Sequence, residues 1–217
     1  MVDSAKDMTT SAPWERRELP GTFSSVETAQ RIGHYKWTAM RIFELLGGWV
    51  ATVPESSVKV SLGQHCYDHS FHAELWHKRL PTFAEHTPES LTVPPSQVVV
   101  DFYKVVANPD GGDHPGGSGT TVEKLAGLYR VVLPHLVSAY TYHRNNVAEL
   151  SDAPTIRILD IGLRDLTSQW QTGELMLQSL IVDQGASTEA ARQQTRLGEL
   201  VVEAGGVLGS GSIGARS

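Results

Sequence analysis

The sequence has a single cysteine, Cys66, which excludes an internal disulfide and a cysteine-based zinc framework and agrees with a reducing compartment. It has no surplus of positive charge: 18 Lys and Arg stand against 24 Asp and Glu, for a net charge of -6. No basic run interrupts that balance, so nucleic acid is not an expected partner. It also has no apolar stretch approaching the roughly 20 residues that span a bilayer. Its start, MVDSAKDMTTSAPWERRELP, lacks the apolar centre of a secretory signal. The expectation is a cytoplasmic protein with no membrane partner. Lysine is scarce while Gly, Ala and Val are plentiful, which suggests a bacterial source.

What is present is helical pattern. With 217 residues, 40% of them hydrophobic, the chain suits one core. Residues 1–22 are polar and aperiodic and are expected to form a flexible arm with Trp14 as its anchor. Residues 23–204 form the expected single domain, and 205–217, GGVLGSGSIGARS, a disordered tail. Ser24 and Glu27 have capping-box spacing and open a long helix predicted over about 24–52. Pro54 suits the first turn of a second, which Pro81 ends. The Pro- and Gly-rich residues 81–119 read as a crossover outside the core, with one short helix at SQVVVDFYKVVA. A third long helix starts near Thr120 and should kink at Pro134. A fourth spans about 154–183, and a shorter helix follows over 187–204. The fold class expected is all-α, an antiparallel four-helix bundle with a long crossover and an extra C-terminal helix.

Because each helical residue advances about 100°, the apolar residues mark an interior direction. On the second helix Val58, Leu62, Trp76 and Leu80 define it. His69 lies at its centre, His65 and His72 share the stripe, and Asp68 sits at the edge. Glu74 points the other way. On the third, Leu128, Val131, Val132, Ala139 and Tyr142 enclose His135. On the fourth, Ile158, Ile161, Gly162, Met176 and Leu180 carry Asp165 and Gln169 inward. Glu44 lies off the main apolar face of the first helix, three residues after Arg41. Burying such groups unpaired costs roughly 2 to 7 kcal/mol each, so a cluster of them must be satisfied by mutual bonds, a metal or a ligand.

His65, His69, His72 and Asp165, with Glu44 as a weaker carboxylate, have the donor types that bind Zn, Fe or Mn. His65, His72, His135 and Asp165 are equally candidates for proton transfer. Each has a plainer reading beside it: buried histidines bonded to backbone or carboxylate, Asp165 as an interhelical partner of His65 or His69, His135 satisfying a carbonyl freed by Pro134, and Glu44 as a solvated ion pair. Tyr140 and Tyr142 read as packing, and Glu74 and Glu174 as surface. The Gly-rich residues 111–119 lack the GK[ST] of a phosphate loop.

Over residues 24–184 the chain resembles the ferritin-like superfamily. Its di-iron members place a Glu on each of two helices and Glu-x-x-His on each of the others. Glu44 matches the first, and Glu74 with His77 the second. The third helix offers His135 and Tyr142, and the fourth has Asp165 followed by Ser168 in place of the motif's His. The resemblance implies oxygen chemistry at an iron or similar divalent metal.

The leading expectation is therefore a small-molecule enzyme, in bacterial specialised metabolism, carrying out metal-assisted oxidation, with Trp49, Trp76 and Trp170 excluding water. The alternative is a metal-free lyase, cyclase or isomerase using the same His and Asp residues as acid and base. A further alternative is a non-catalytic helical partner protein, with homo- or hetero-oligomers left open.

Overall fold

A computed structural model describes residues 23–81, 86–112, 114 and 116–209. The expected N-terminal arm, Trp14 and residues 210–217 lie outside them. Among the described residues the chain is all-helical, with no β-strand, and no helix is long and apolar enough to cross a membrane.

Helix α1 spans Ser25–Thr52. Its N-terminus is fixed by the expected capping box, in which Glu27 N–H donates to Ser24 Oγ and Ser24 N–H donates to Glu27 Oε2. Ile32, Tyr35, Ala39, Ile42, Leu46 and Trp49 form its buried stripe. Helix α2, Ser56–Arg79, follows a short connection and packs along α1 more extensively than any other pair of helices. Pro54 precedes the cap residue Glu55 and so stands outside the first turn.

The crossover is part of the core, contrary to the expectation from its Pro and Gly content. After a single turn, α3 (Pro88–Leu91), helix α4 (Gln97–Ala107) buries Val99, Phe102, Tyr103 and Val106. Those four recur at helical spacing and seal the face that packs on the C-terminal helix.

The third long rod is composite. Helix α5, Thr121–Gly127, begins with a capping box between Thr120 and Glu123. A π-helical turn, Leu128–Val132, follows, and α6 runs over Leu133–Asn145. Pro134 has no N–H to give, and just before it the bonding widens to i→i+5, with Leu133 N–H donating to the Leu128 carbonyl. The wider turn shifts every later residue around the axis. Leu133, Leu136, Ala139, Tyr140 and His143 become the buried face, and Tyr142 and His135 move to its margin.

Helix α7, Ala153–Leu180, packs on α6, α5 and α2, burying Leu159, Gly162, Leu166, Gln169, Gly173 and Leu177. Helix α8, Gln184–Ala204, packs on α5 and α4 and ends at Gly205, whose φ of 70° is the left-handed cap conformation. The chain stays packed beyond it: Val207 and Leu208 are buried, so the expected loose tail does not begin at 205.

Candidate functional site

Helices α2 and α7 meet along matching polar edges. Helix α2 presents Ser61, Gln64, His65 and Asp68; α7 presents Asp165, Ser168, Gln169 and Thr172. Both sets run i, i+3, i+4, i+7, and together they line a cleft of about 250 Å³. One side of each helix thus faces the same small polar space.

Two cross-helix pairs border it. His72 Nε2 donates to Asp165 Oδ2 at 3.0 Å, and the other carboxylate oxygen of Asp165 accepts from Arg164 at 3.3 Å. His72 is buried, whereas Asp165 is partly open. The expected interhelical role of Asp165 is therefore observed, with His72 as partner in place of His65 or His69. In the second pair, His65 Nδ1 and Tyr129 Oη share a hydrogen bond of 2.6 Å. Tyr129 is carried there by the π-helical turn, a common device at functional sites. Its ring lies against the bare backbone of Gly173, where a Cβ would stand 2.0 Å from Cδ1.

Burial holds His65 down to about 4, against a smaller opposing effect of Asp68, and raises the Tyr129 phenol. Both are neutral at pH 7. Asp68 is held by two amides, accepting from Gln64 at 2.9 Å and from Gln169 at 3.0 Å. Between the pairs His69 is buried and pushed well below its ordinary value, first by desolvation and then by His72 and His65. The Gln169 amide lies near enough to oppose that slightly. Even so, His69 Nε2 and Gln169 Oε1 have no hydrogen-bond partner among the described residues.

The other sequence candidates lie elsewhere. His135 is half-buried, and its Nδ1 donates to the Val131 carbonyl of its own rod at 2.7 Å, beside the Pro134 break. Glu44 is exposed and accepts from Arg41 at 2.7 Å, on the rim of a different cleft with Tyr103 and Asn108. Glu74 is exposed and pairs with Lys78. Trp49 and Trp76 are fully buried, but Trp170 is 38% exposed and walls nothing off. A larger depression of about 420 Å³, bordered by Arg144, Arg157, Asp160 and Arg164, holds no histidine.

Sequence reasoning missed Tyr129 as a partner and missed a second polar pair altogether. Tyr35 Oη and His143 Nδ1 share a hydrogen bond of 2.9 Å, while Trp76 Nε1 donates to Tyr140 Oη at the same length. His143 is fully buried, and burial followed by the Arg31 charge lowers it to about 3. The signal was available, since Val132, Leu136, Ala139 and His143 continue one stripe.

Among the described residues no group of three or more His, Cys, Asp or Glu side chains is placed to hold a metal. His65 Nδ1 is engaged by Tyr129 and His72 Nε2 by Asp165, which leaves the second ring nitrogen of each outside these two bonds. No protein-family model matches the chain, and neither does any curated protein or solved structure.

Proposed function

We propose that the chain is an acid–base enzyme, a lyase, cyclase or isomerase, acting on a small polar molecule in the cleft between α2 and α7. The observation that carries this reading is the pairing of two preorganised donors or acceptors on one cleft: Asp165 oriented by His72, and His65 oriented by Tyr129. Asp165 serves as the base, its carboxylate fixed by the His72 N–H and open toward the cleft. Tyr129, kept protonated by burial, donates to His65 Nδ1, which leaves the imidazole proton on Nε2. Such a neutral imidazole stabilises a developing oxyanion or protonates a departing oxygen. Asp165 then releases its proton to solvent at the open side of the cleft, and His65, which lines the same cleft, regains there the proton it gave up.

The remaining expectations enter as part of the proposal. We take α1, α2, the α5–α6 rod and α7 as an antiparallel four-helix bundle of ferritin-like arrangement, a view supported by the contacts of α1 with α2, α6 with α7 and α2 with α7. A cytoplasmic setting is supported by the lone, half-buried Cys66. The acid–base reading is placed before metal-assisted oxidation because Asp165 and His65 are already oriented on one cleft by His72 and Tyr129.

The test is solvent exchange. A panel of small hydroxylated carbonyl and amine compounds is incubated with the protein in D2O, and deuterium uptake or conversion is followed by mass spectrometry. Wild type should act on at least one compound, while His65→Gln and Asp165→Asn, checked for folding by circular dichroism, should not. A panel untouched by wild type, or variants as active as wild type, would remove the proposal. Elemental analysis of protein purified without chelator is run alongside. Stoichiometric metal together with a Tm raised by added Fe(II) would return the oxidation reading to first place.

A further inference from the structure

We infer that the chain forms a two-fold homodimer in which α2 packs antiparallel against α2 of a second copy, with Tyr67 on the axis. Helix α2 is apolar on two opposite sides. Val58, Leu62 and Trp76 are buried in the chain's own core, whereas Val60, Tyr67 and Phe71 stand on the outer side at 76%, 65% and 40% exposure. Their spacing of seven and four keeps them on one stripe with Gly63 and Glu74, a continuous line rather than scattered residues. A surface helix needs one apolar side for its own core, so the second is explained by a second contact. Gly63 points the same way on separate grounds. It lies exposed in the middle of α2, where glycine is a poor helix former, and a Cβ there would meet nothing within 4 Å. Gly33, Gly127 and Gly173 differ, since in each a Cβ would collide with another part of the chain. The bare backbone at residue 63 thus serves no packing within the monomer, and it admits the close approach of another helix.

Charge specifies which helix fits. Antiparallel pairing centred on Tyr67 stacks that ring on the partner's Tyr67, sets Gly63 against the partner's Ser70 and brings the partner's Phe71 beside Val60. Lys59 then falls level with the partner's Glu74 on the same flank of the contact, and the two-fold axis repeats the pair. The Lys59 ammonium has no partner among the described residues. Glu74 is exposed and meets only Lys78 of its own helix, so its carboxylate retains lone pairs for a second cation. A parallel pairing would instead oppose Lys59 to Lys59 and Glu74 to Glu74, and like charges reject it. The five turns from Lys59 to Lys78 are about 28 Å long, and with the helix flanks the contact is about 20 Å wide. Roughly 500 Å² from each copy reaches the total of about 1,000 Å² that a specific interface needs, but not the size of an obligate one. The dimer therefore exchanges with monomer.

The test is sedimentation equilibrium on the full chain, from about 1 to about 300 µM, a range that brackets the micromolar Kd expected of an interface this small. The mass should rise from that of one chain toward that of two. Tyr67→Lys sets two like charges on the axis and should weaken association at least about tenfold, with an unchanged circular dichroism melt. Lys59→Glu and Glu74→Lys each create two like-charged pairs and should each weaken it by about tenfold. An equimolar mixture of those two variants should associate as wild type does, because every pair in that heterodimer is again of opposite sign. A wild-type chain that stays monomeric throughout the range overturns the inference without any variant. A dimer that none of the three substitutions weakens uses another surface and overturns it too, as does a mixture that associates no better than its separate variants.

Discussion

Tyr129 Oη reaches His65 Nδ1 at 2.6 Å only because α7 has no side chain at residue 173, where a Cβ would overlap the tyrosine ring. The bond therefore depends on three elements at once: the π-helical turn that carries Tyr129, the α2 stripe that carries His65, and the bare backbone of α7. Gly173→Ala should push the ring away, destabilising the protein by about 1 to 3 kcal/mol although alanine is the better helix former. Urea unfolding measures the loss. The His65 ring nitrogen shifts in ¹⁵N NMR should change with it, and an alanine variant as stable as wild type with unchanged His65 signals would separate the two residues.

The buried histidines make stability depend on pH in one direction. In the folded chain His65 titrates near 4 and His143 near 3, and His69 is also lowered, each chiefly by burial. An unfolded histidine takes its proton near 6.5. Below that value the unfolded state binds protons that the folded state refuses, so stability is complete above about pH 7 and falls as the pH drops toward 4. Each such histidine contributes a slope of up to about 1.4 kcal/mol per pH unit. Urea unfolding at a series of pH values should show the decline, and His143→Gln should make it shallower. Stability that stays level between pH 7 and 5 would contradict the burial assigned to these rings.

Much of the frame was legible because it rests on local rules. Ser24 with Glu27 marked the start of α1, and the His65, His69, His72 stripe was correctly directed inward because no irregularity interrupts α2. The third rod shows where such reasoning stops. Pro134 announced a break, but a missing N–H can be met by a kink or by a wider turn, and the two put different residues inside. The wider turn took His135 off the buried face, while His143 stayed on the stripe of Val132, Leu136 and Ala139. Trp170 and the core role of α4 depended on which helix packs where, which periodicity within one segment does not specify.

Asp165 and Glu44 test the site from opposite sides. Glu44 is an exposed partner of Arg41, so Glu44→Ala should change stability by no more than about 0.5 kcal/mol and leave turnover intact. Asp165→Asn keeps an acceptor for His72 but loses the base. Its stability should fall by only about 1 kcal/mol, while turnover of the compound identified in D2O falls by at least about a hundredfold. The comparison of kcat with unfolding free energy for the two variants checks both statements, and an inactive Glu44→Ala would require a different site.

His69 is the most informative single position. Its Nε2 is buried with no hydrogen-bond partner among the described residues, and a polar atom in that state opposes folding by roughly 1 to 3 kcal/mol. Leucine of similar bulk removes the unsatisfied nitrogen and retains the contacts with the core, so His69→Leu should be as stable as wild type or more stable by about 1 kcal/mol. His72→Leu should behave oppositely, since it strips Asp165 of its buried donor. His69 does not line the cleft, and in acid–base chemistry its loss should leave turnover within about tenfold of wild type. If His69→Leu unfolds at the same or higher urea concentration yet is inactive, the imidazole takes part in the reaction directly, and a metal held by His69 becomes the better account of the site.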